Sequence, residues 1–155
     1  MNKQDKELLL RDLCARLPYG VRGERIWTAP VSGSPEKGIY VFDTFDINVL
    51  TTGYYDCGEY GFREVRNYSF KPYLFPLSSM TEEQKKELDK KFHVIGIYWN
   101  NIKICYHSEG YWDTDLEVDF QDWLWLINWL NKNHFDYHGL IEKGLAIDAS
   151  GLNIY

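Results

Sequence analysis

Three cysteines stand in a chain of 155 residues, at 14, 57 and 105. The count is odd and the spacings are long, which excludes a disulfide framework and a CxxC metal or redox pair. Reduced thiols, and hence a cytoplasmic protein, are expected. Long apolar runs are also missing. The N-terminal MNKQDKELLL holds no signal core, and no stretch approaches the ~20 apolar residues of a membrane span. Basic charge is scarce: 17 Lys and Arg stand against 23 Asp and Glu, a net charge of −6. The densest basic run, Lys85, Lys86, Lys90 and Lys91, alternates with Glu82, Glu83, Glu87 and Asp89. That is a solvated helix face rather than the basic stripe of a nucleic-acid binder. No P-loop, GxGxxG or GxSxG is present, and no cofactor is expected.

Aromatic residues are abundant instead. Six Trp, twelve Tyr and eight Phe make up 17% of the chain. Such rings carry large apolar area on few rotors, which suits cores and contact surfaces alike.

The length predicts a single domain over 1–155. Leu9, Leu13 and Leu17, widened by Leu10 and Cys14, predict a helix over Lys3–Leu17 that Pro18 and Gly20 stop. Lys6, Glu7, Arg11 and Asp12 fall off that stripe. Strands are expected at Val21–Trp27, Gly38–Asp43, Ile47–Thr52 and Tyr60–Val65, separated by turn-forming residues at 30–35 and 53–58. Lys71–Pro76 must be extended, because each proline pushes its predecessor out of the helical region. Overlapping capping boxes, Ser79 with Glu82 and Thr81 with Gln84, start a second helix that runs to about Lys91. Asn100-Asn101 predicts a hairpin between two apolar strands, 93–99 and 102–106. A capping box of Thr114 and Glu117 opens a last helix over 115–133, with Leu116, Phe120, Trp123, Leu124, Ile127 and Leu130 as its apolar face. The apolar tail from Leu145 to Tyr155 should be ordered. The expected fold is α+β: an antiparallel sheet of about five to six strands packed with N- and C-terminal helices.

Four groups could carry function. The acids Asp113, Asp115, Glu117, Asp119 and Asp122 lack the glycine and terminal bidentate Glu of a calcium loop, and the positive end of a helix dipole explains them without a metal. Trp125 and Trp129, one turn apart, lie opposite Leu116, Phe120 and Ile127 on a helical wheel. Either a second layer of the protein covers them or they form an apolar contact patch. The Tyr-rich stretch with Tyr54, Tyr55 and Tyr60 reads as a hairpin loop carrying rings on its surface. His134 and His138, with Asp136 between them, have the i, i+4 spacing of a metal-binding or acid–base pair. There is no HExxH, however, and Gly139 suggests the helix has ended, so core or capping roles fit them better.

Three stretches, Asp12–Gly20, Lys71–Gln84 and Asn133–Tyr155, resemble a family of short uncharacterised proteins encoded by gut bacteria and their phages or other mobile elements. The resemblance covers under a third of the chain and implies context, not an activity: an accessory protein, with which an anti-defence role would be compatible. Such relatives would carry Arg at position 138, where this chain has His, which speaks further against a metal pair. The expectation is a non-enzymatic interaction protein using aromatic surface around Trp125, Trp129 and Tyr54–Tyr60, with a protein partner or a second copy of the chain. The alternative is a small-ligand site, for a nucleotide among others, that binds or sequesters its ligand or works as a minor enzyme, lined by Tyr, Trp and the His134-Asp136-His138 group.

Overall fold

The computed structural model describes residues 1–28, 33–92, 94–98, 101–104, 106–108, 111–113 and 120–155; positions 92, 94–98, 101–104, 106–108 and 111–113 are described by their backbone alone. Helix α1 (Lys3–Arg16) leads through a 3-10 turn (Leu17–Tyr19) into strands β1 (Arg22–Thr28) and β2 (Pro35–Val41). Helix α2 (Thr44–Thr52) precedes a ribbon of β3 (Tyr54–Asp56) and β4 (Phe62–Glu64), joined across a 3-10 turn (Gly58–Tyr60). The long strand β5 (Arg66–Pro76) is followed by a 3-10 turn (Leu77–Ser79) and α3 (Glu82–Phe92). Short strands β6 (Val94–Tyr98), β7 (Asn101–Ile104), β8 (Tyr106–Ser108) and β9 (Tyr111–Asp113) lead to α4 (Phe120–Lys132), and β10 (Phe135–Asp136) and β11 (Ile147–Asp148) close the chain.

The fold is α+β, and its main sheet is mixed. Among the described residues the order is β10-β5-β1-β2, with β11 also on β5. Strand β1 pairs antiparallel with β2 and β5, while β10 and β11 add to β5 in parallel, two residues each. The prolines of Lys71–Pro76 are accommodated as expected: the whole segment belongs to β5. The expected Asn100-Asn101 hairpin forms one residue earlier. Tyr98 pairs with Asn101, so Asn101 is already in β7, and Asn100 lies outside the described residues.

One expected strand is a helix. Ile47–Thr52, rich in β-branched side chains, belongs to α2 because its first turn is capped reciprocally. The Asp43 carboxylate accepts from the Phe45 and Asp46 amides at 2.8 and 3.2 Å, and Asp46 accepts from the Asp43 amide at 2.9 Å. Gly53 ends the helix in the left-handed region at φ 79°. A cap at one end and glycine at the other outweigh the modest cost of β-branched residues in a helix. The Thr81–Gln84 box predicted for α3 is present in both directions, at 2.9 and 3.2 Å. Ser79 does not cap that helix and instead donates to the Pro76 carbonyl.

Two apolar clusters hold these elements together. The first joins Leu9 and Leu13 of α1 to Val21, Phe42, Leu50, Phe70, Leu74, Leu140, Leu145 and Ala146. The second joins Leu77, Met80 and Leu88 to Leu126, Trp129, Leu130 and Phe135. Both long helices are rotated from their predicted faces. In α1, Leu17 and Cys14 are exposed, while Asp12 and Arg16 are fully buried on the other flank of the Leu9–Leu13 stripe. In α4, Phe120, Trp123 and Leu124 are exposed, and Leu126, Trp129 and Leu130 face the core. Of the two sides of α4 that could be buried, the chain buries the one with Trp129, which stacks on Phe135 at 5.7 Å. The predicted start of this helix, with the Thr114–Glu117 box and most of the acidic cluster, lies outside the described residues.

Sheet packing leaves no room at Gly23 in β1. A Cβ there would overlap the Phe70 ring and sit 2.7 Å from the Lys71 carbonyl oxygen. Gly23→Ala should therefore destabilise the fold by about 1–3 kcal/mol through overpacking. An unchanged urea midpoint would show that β1 and β5 can separate at no cost.

Candidate functional site

The three groups that lie within the described residues, of the four singled out in the sequence, meet different fates. Trp129 is buried in the second cluster, and Trp125, half-buried, stacks on it at 6.3 Å with ring planes 18° apart. The Trp pair is thus layered into the protein along the run Trp125–Trp129–Phe135, and a free contact patch centred on Trp129 does not exist. Asp136 is buried, and its two carboxylate oxygens accept from the Leu140 and Ile141 amides at 2.9 and 2.8 Å. It holds the turn that follows β10. His138 points at Asp12, with Nδ1 2.9 Å from Oδ1. The i, i+4 spacing of His134 and His138 is not helical, since α4 has ended at Lys132 and His134 takes φ 57°.

His138 joins a buried polar network that crosses from α1 to β10. Arg16 Nε and Nη2 donate to Asp12 at 2.7 and 2.9 Å, and Nη2 also donates to the Phe135 carbonyl at 2.7 Å. The guanidinium carbon lies 5.2 Å from the Tyr137 ring centre. Burial pushes the Asp12 carboxyl up, but hydrogen bonds from His138 and Arg16 outweigh this and hold it below its ordinary pKa. The Asp12–Arg16 spacing was legible on α1, but its place beside the leucine stripe was not.

His134 stands apart from that network. It is 8% exposed, and its ring lies parallel to Tyr155 at 3.9 Å between centroids. Tyr155 is itself fixed, its hydroxyl donating to the Tyr73 carbonyl at 2.8 Å and accepting from the Arg22 amide at 3.1 Å. His134 Nδ1 is buried without a hydrogen-bond partner. Burial and the nearby Arg16 charge push its pKa down to about 4. The ring is one wall of a cleft of about 370 Å³, lined also by Phe75, Ser79, Thr81, Gln84, Lys132 and Asn133. His134 is the member of the expected His-Asp-His group that opens on this space; Asp136, His138 and the tryptophans do not line it.

The Tyr-rich stretch is the third group. Tyr54 and Tyr60 are 48% and 77% exposed, and Phe62, which the sequence reading placed in a strand without assigning it a role, is 75% exposed. Tyr55 is half-buried and meets Phe45 edge-on at 4.9 Å. The ribbon rests on a second polar centre that sequence reading missed. Buried Asp46 accepts from Arg25 at 3.0 Å and from the Tyr68 hydroxyl at 2.7 Å. The Arg25 guanidinium lies 3.8 Å over the Tyr40 ring and 4.9 Å from the Phe45 ring. Burial raises the Asp46 pKa despite those bonds.

Among the described residues there is no cluster of three or more His, Cys, Asp or Glu placed to hold a metal ion, and no helix long and apolar enough to cross a membrane. The chain matches no family model, no curated protein and no solved structure.

Two tests follow from the buried charges. Asp12→Asn leaves the buried Arg16 without its counter-charge and should cost about 3–5 kcal/mol of stability in urea unfolding. The second concerns pH. An unfolded His134 takes up a proton near its ordinary 6.5, and the folded one only near 4. Between those values the unfolded chain binds more protons, so stability falls as pH falls, on the order of 2 kcal/mol after discounting for partial solvent screening. The Asp12 contribution is lost only below its ordinary 3.8. His134→Asn, which tolerates the left-handed backbone, should flatten the profile between pH 6.5 and 4. A variant with the same slope as the parent would assign the acid loss to another group.

Proposed function

We propose that this chain is a non-enzymatic interaction protein that docks a protein partner on the β3–β4 ribbon. The observation that carries the reading is the exposure of three large rings, Tyr54, Tyr60 and Phe62, on one short anchored ribbon. Rings of this kind bring large contact area at low entropic cost and dominate interface energetics. The anchoring is specific. Val65, buried just after β4, donates its amide to the Gly53 carbonyl at 2.9 Å, and Tyr55 packs on Phe45. The ribbon can therefore bury its rings against a partner without first being ordered.

The fates of the other groups support the same reading. An acid–base site built on His134, Asp136 and His138 would need the three to converge. Instead Asp136 is consumed by a turn and His138 by Asp12. On α4 the exposed apolar residues are Phe120, Trp123 and Leu124, so the contact surface once expected around Trp125 and Trp129 moves to the start of that helix. The resemblance to short proteins of gut bacteria and their phages adds a setting: a cytoplasmic accessory protein whose role is exercised through a host protein. The net charge of −6 disfavours a strongly acidic partner.

Substituting Tyr54, Tyr60 and Phe62 together by Ser should leave thermal stability nearly unchanged, since exposed positions away from caps and charges shift it by about 0.5 kcal/mol each. Quantitative capture from host extract, comparing parent and triple variant, should show one or a few proteins lost from the variant. Cross-links to that partner should fall on the ribbon. Identical captured sets from the two proteins would remove the ribbon as the docking surface. Sedimentation of the parent as a dimer and of the variant as a monomer would name a second copy of the chain as the partner.

A further inference from the structure

The outer face of the β3–β4 ribbon pairs its rings with acids. Residues directly opposite each other in an antiparallel pair point to the same side, with Cβ atoms about 5 Å apart. Tyr54 stands opposite Glu64, Tyr55 opposite Arg63 and Asp56 opposite Phe62. Tyr55 turns inward onto Phe45. The face away from the protein therefore holds two couples of a ring and a carboxylate, Tyr54 with Glu64 and Phe62 with Asp56, and all four residues are exposed. The turn between the strands adds Glu59 next to Tyr60, both exposed. The base within the ribbon, Arg63, lies on the Tyr55 side.

Elsewhere the same chain shows what such a combination holds. Arg25 lies over the rings of Tyr40 and Phe45, at 3.8 and 4.9 Å, while its Nη1 donates to the Asp46 carboxylate at 3.0 Å. The negative faces of the rings attract the cation and the carboxylate supplies the counter-charge, so together they fit a guanidinium. On the ribbon the couples are in place and the cation is not. Asp56 accepts from the Gly58 amide at 2.9 Å, which holds the turn, and among the described residues neither it nor Glu59 has a salt-bridge partner. Glu64 meets Arg66 at 3.3 Å, a pair exposed on both sides and so readily exchanged.

We propose that the partner of this ribbon presents arginine side chains, each laid on one ring and bonded to the carboxylate opposite that ring. The inference rests on the ribbon being the docking surface, and it adds the chemistry that surface selects. A partner without cations would strip water from Asp56 and Glu64 and return no counter-charge. Arginine fits better than lysine, because its planar guanidinium stacks on a ring and forks onto a carboxylate at once. Tyr54 and Asp56 are two residues apart on β3, so the two couples lie about 7 Å apart. That is the spacing of alternate side chains in an extended segment, which could place one arginine on each couple.

The test titrates the full chain with a glycine–serine peptide carrying arginine at two alternate positions, and with its lysine, citrulline and glutamate counterparts. The arginine peptide should shift the ring resonances of Tyr54 and Phe62 and bind about tenfold tighter than the citrulline peptide, from two cation–ring contacts together. Asp56→Asn with Glu64→Gln keeps the rings and the acceptor for the Gly58 amide. This variant should melt as the parent does and bind the arginine and citrulline peptides alike. The Tyr54, Tyr60 and Phe62 triple variant should bind neither. No shifts with the arginine peptide, equal binding of the citrulline peptide by the parent, or an arginine preference that survives in either variant overturns the proposal. A lysine peptide that binds as tightly as the arginine one overturns the guanidinium assignment. In the capture experiment, a protein lost from the ring variant and kept by the Asp56→Asn, Glu64→Gln variant leaves the docking surface standing and overturns the arginine chemistry alone.

Discussion

The buried Asp12–Arg16 pair is the contact on which the arrangement of this protein depends. Both side chains are fully buried on α1, and Arg16 reaches the Phe135 carbonyl of β10, 119 residues later in the chain. That bond fixes the distance between the first helix and the segment that follows the last one. Phe135 belongs to the cluster around Trp129, while Leu9 and Leu13, on the same face of α1, belong to the other cluster. The ion pair therefore stands where the two cores meet. A buried pair contributes little net stability against well-packed apolar residues, because desolvation offsets most of the attraction. Its effect is on geometry: with Arg16 held to both Asp12 and the Phe135 carbonyl, the rotation of α1 is tied to the position of β10.

That constraint explains why sequence periodicity located the first and last helices and misjudged their faces. The spacing of Leu9, Leu13 and Leu17 describes a stripe, but the packed face is turned toward Asp12 and Arg16, leaving Leu17 outside. A periodicity argument treats charged residues as markers of solvent, and here two of them are markers of the interior. In α4 the ambiguity was of another kind. Rings and leucines occur on both sides of the helix, and only the position of Phe135 decides which side is inward. Phe135 is placed by its parallel pairing with Phe75, a contact across sixty residues that no local pattern contains. Capping was more informative. Thr81 with Gln84 was read correctly, and Asp43 with Asp46, overlooked, would have turned the expected strand at Ile47–Thr52 into the helix it is.

The aromatic residues divide along the same line. Phe42, Phe70, Phe135 and Trp129 are interior, and their burial supplies the apolar area that a chain of this size needs. Arg25 gathers another set around a charge, with Tyr40 and Phe45 against its guanidinium and Tyr68 sharing its partner Asp46. Tyr54, Tyr60 and Phe62 do neither, although the ribbon that carries them is tied down at both ends. Composition showed the excess of rings; it could not sort them, because sorting depends on whether a strand joins the main sheet. Strands β3 and β4 pair with each other and stay outside it.

His134 brings these threads together. The helix α4 must stop so that Phe135 can turn onto β5, and the residue at the stop takes a left-handed conformation for which glycine is the usual choice. Gly139, five positions on, shows the chain using glycine where such a conformation serves a turn alone. At 134 it carries an imidazole instead, covers it with Tyr155, and leaves its Nδ1 buried without a hydrogen bond. The Phe75 amide bonds to the His134 carbonyl at 2.9 Å, so the backbone here is needed for the sheet whatever the side chain is. The ring is then an addition to a position already determined by the fold. Its stacking on Tyr155 fixes its plane, and its burial favours the neutral form.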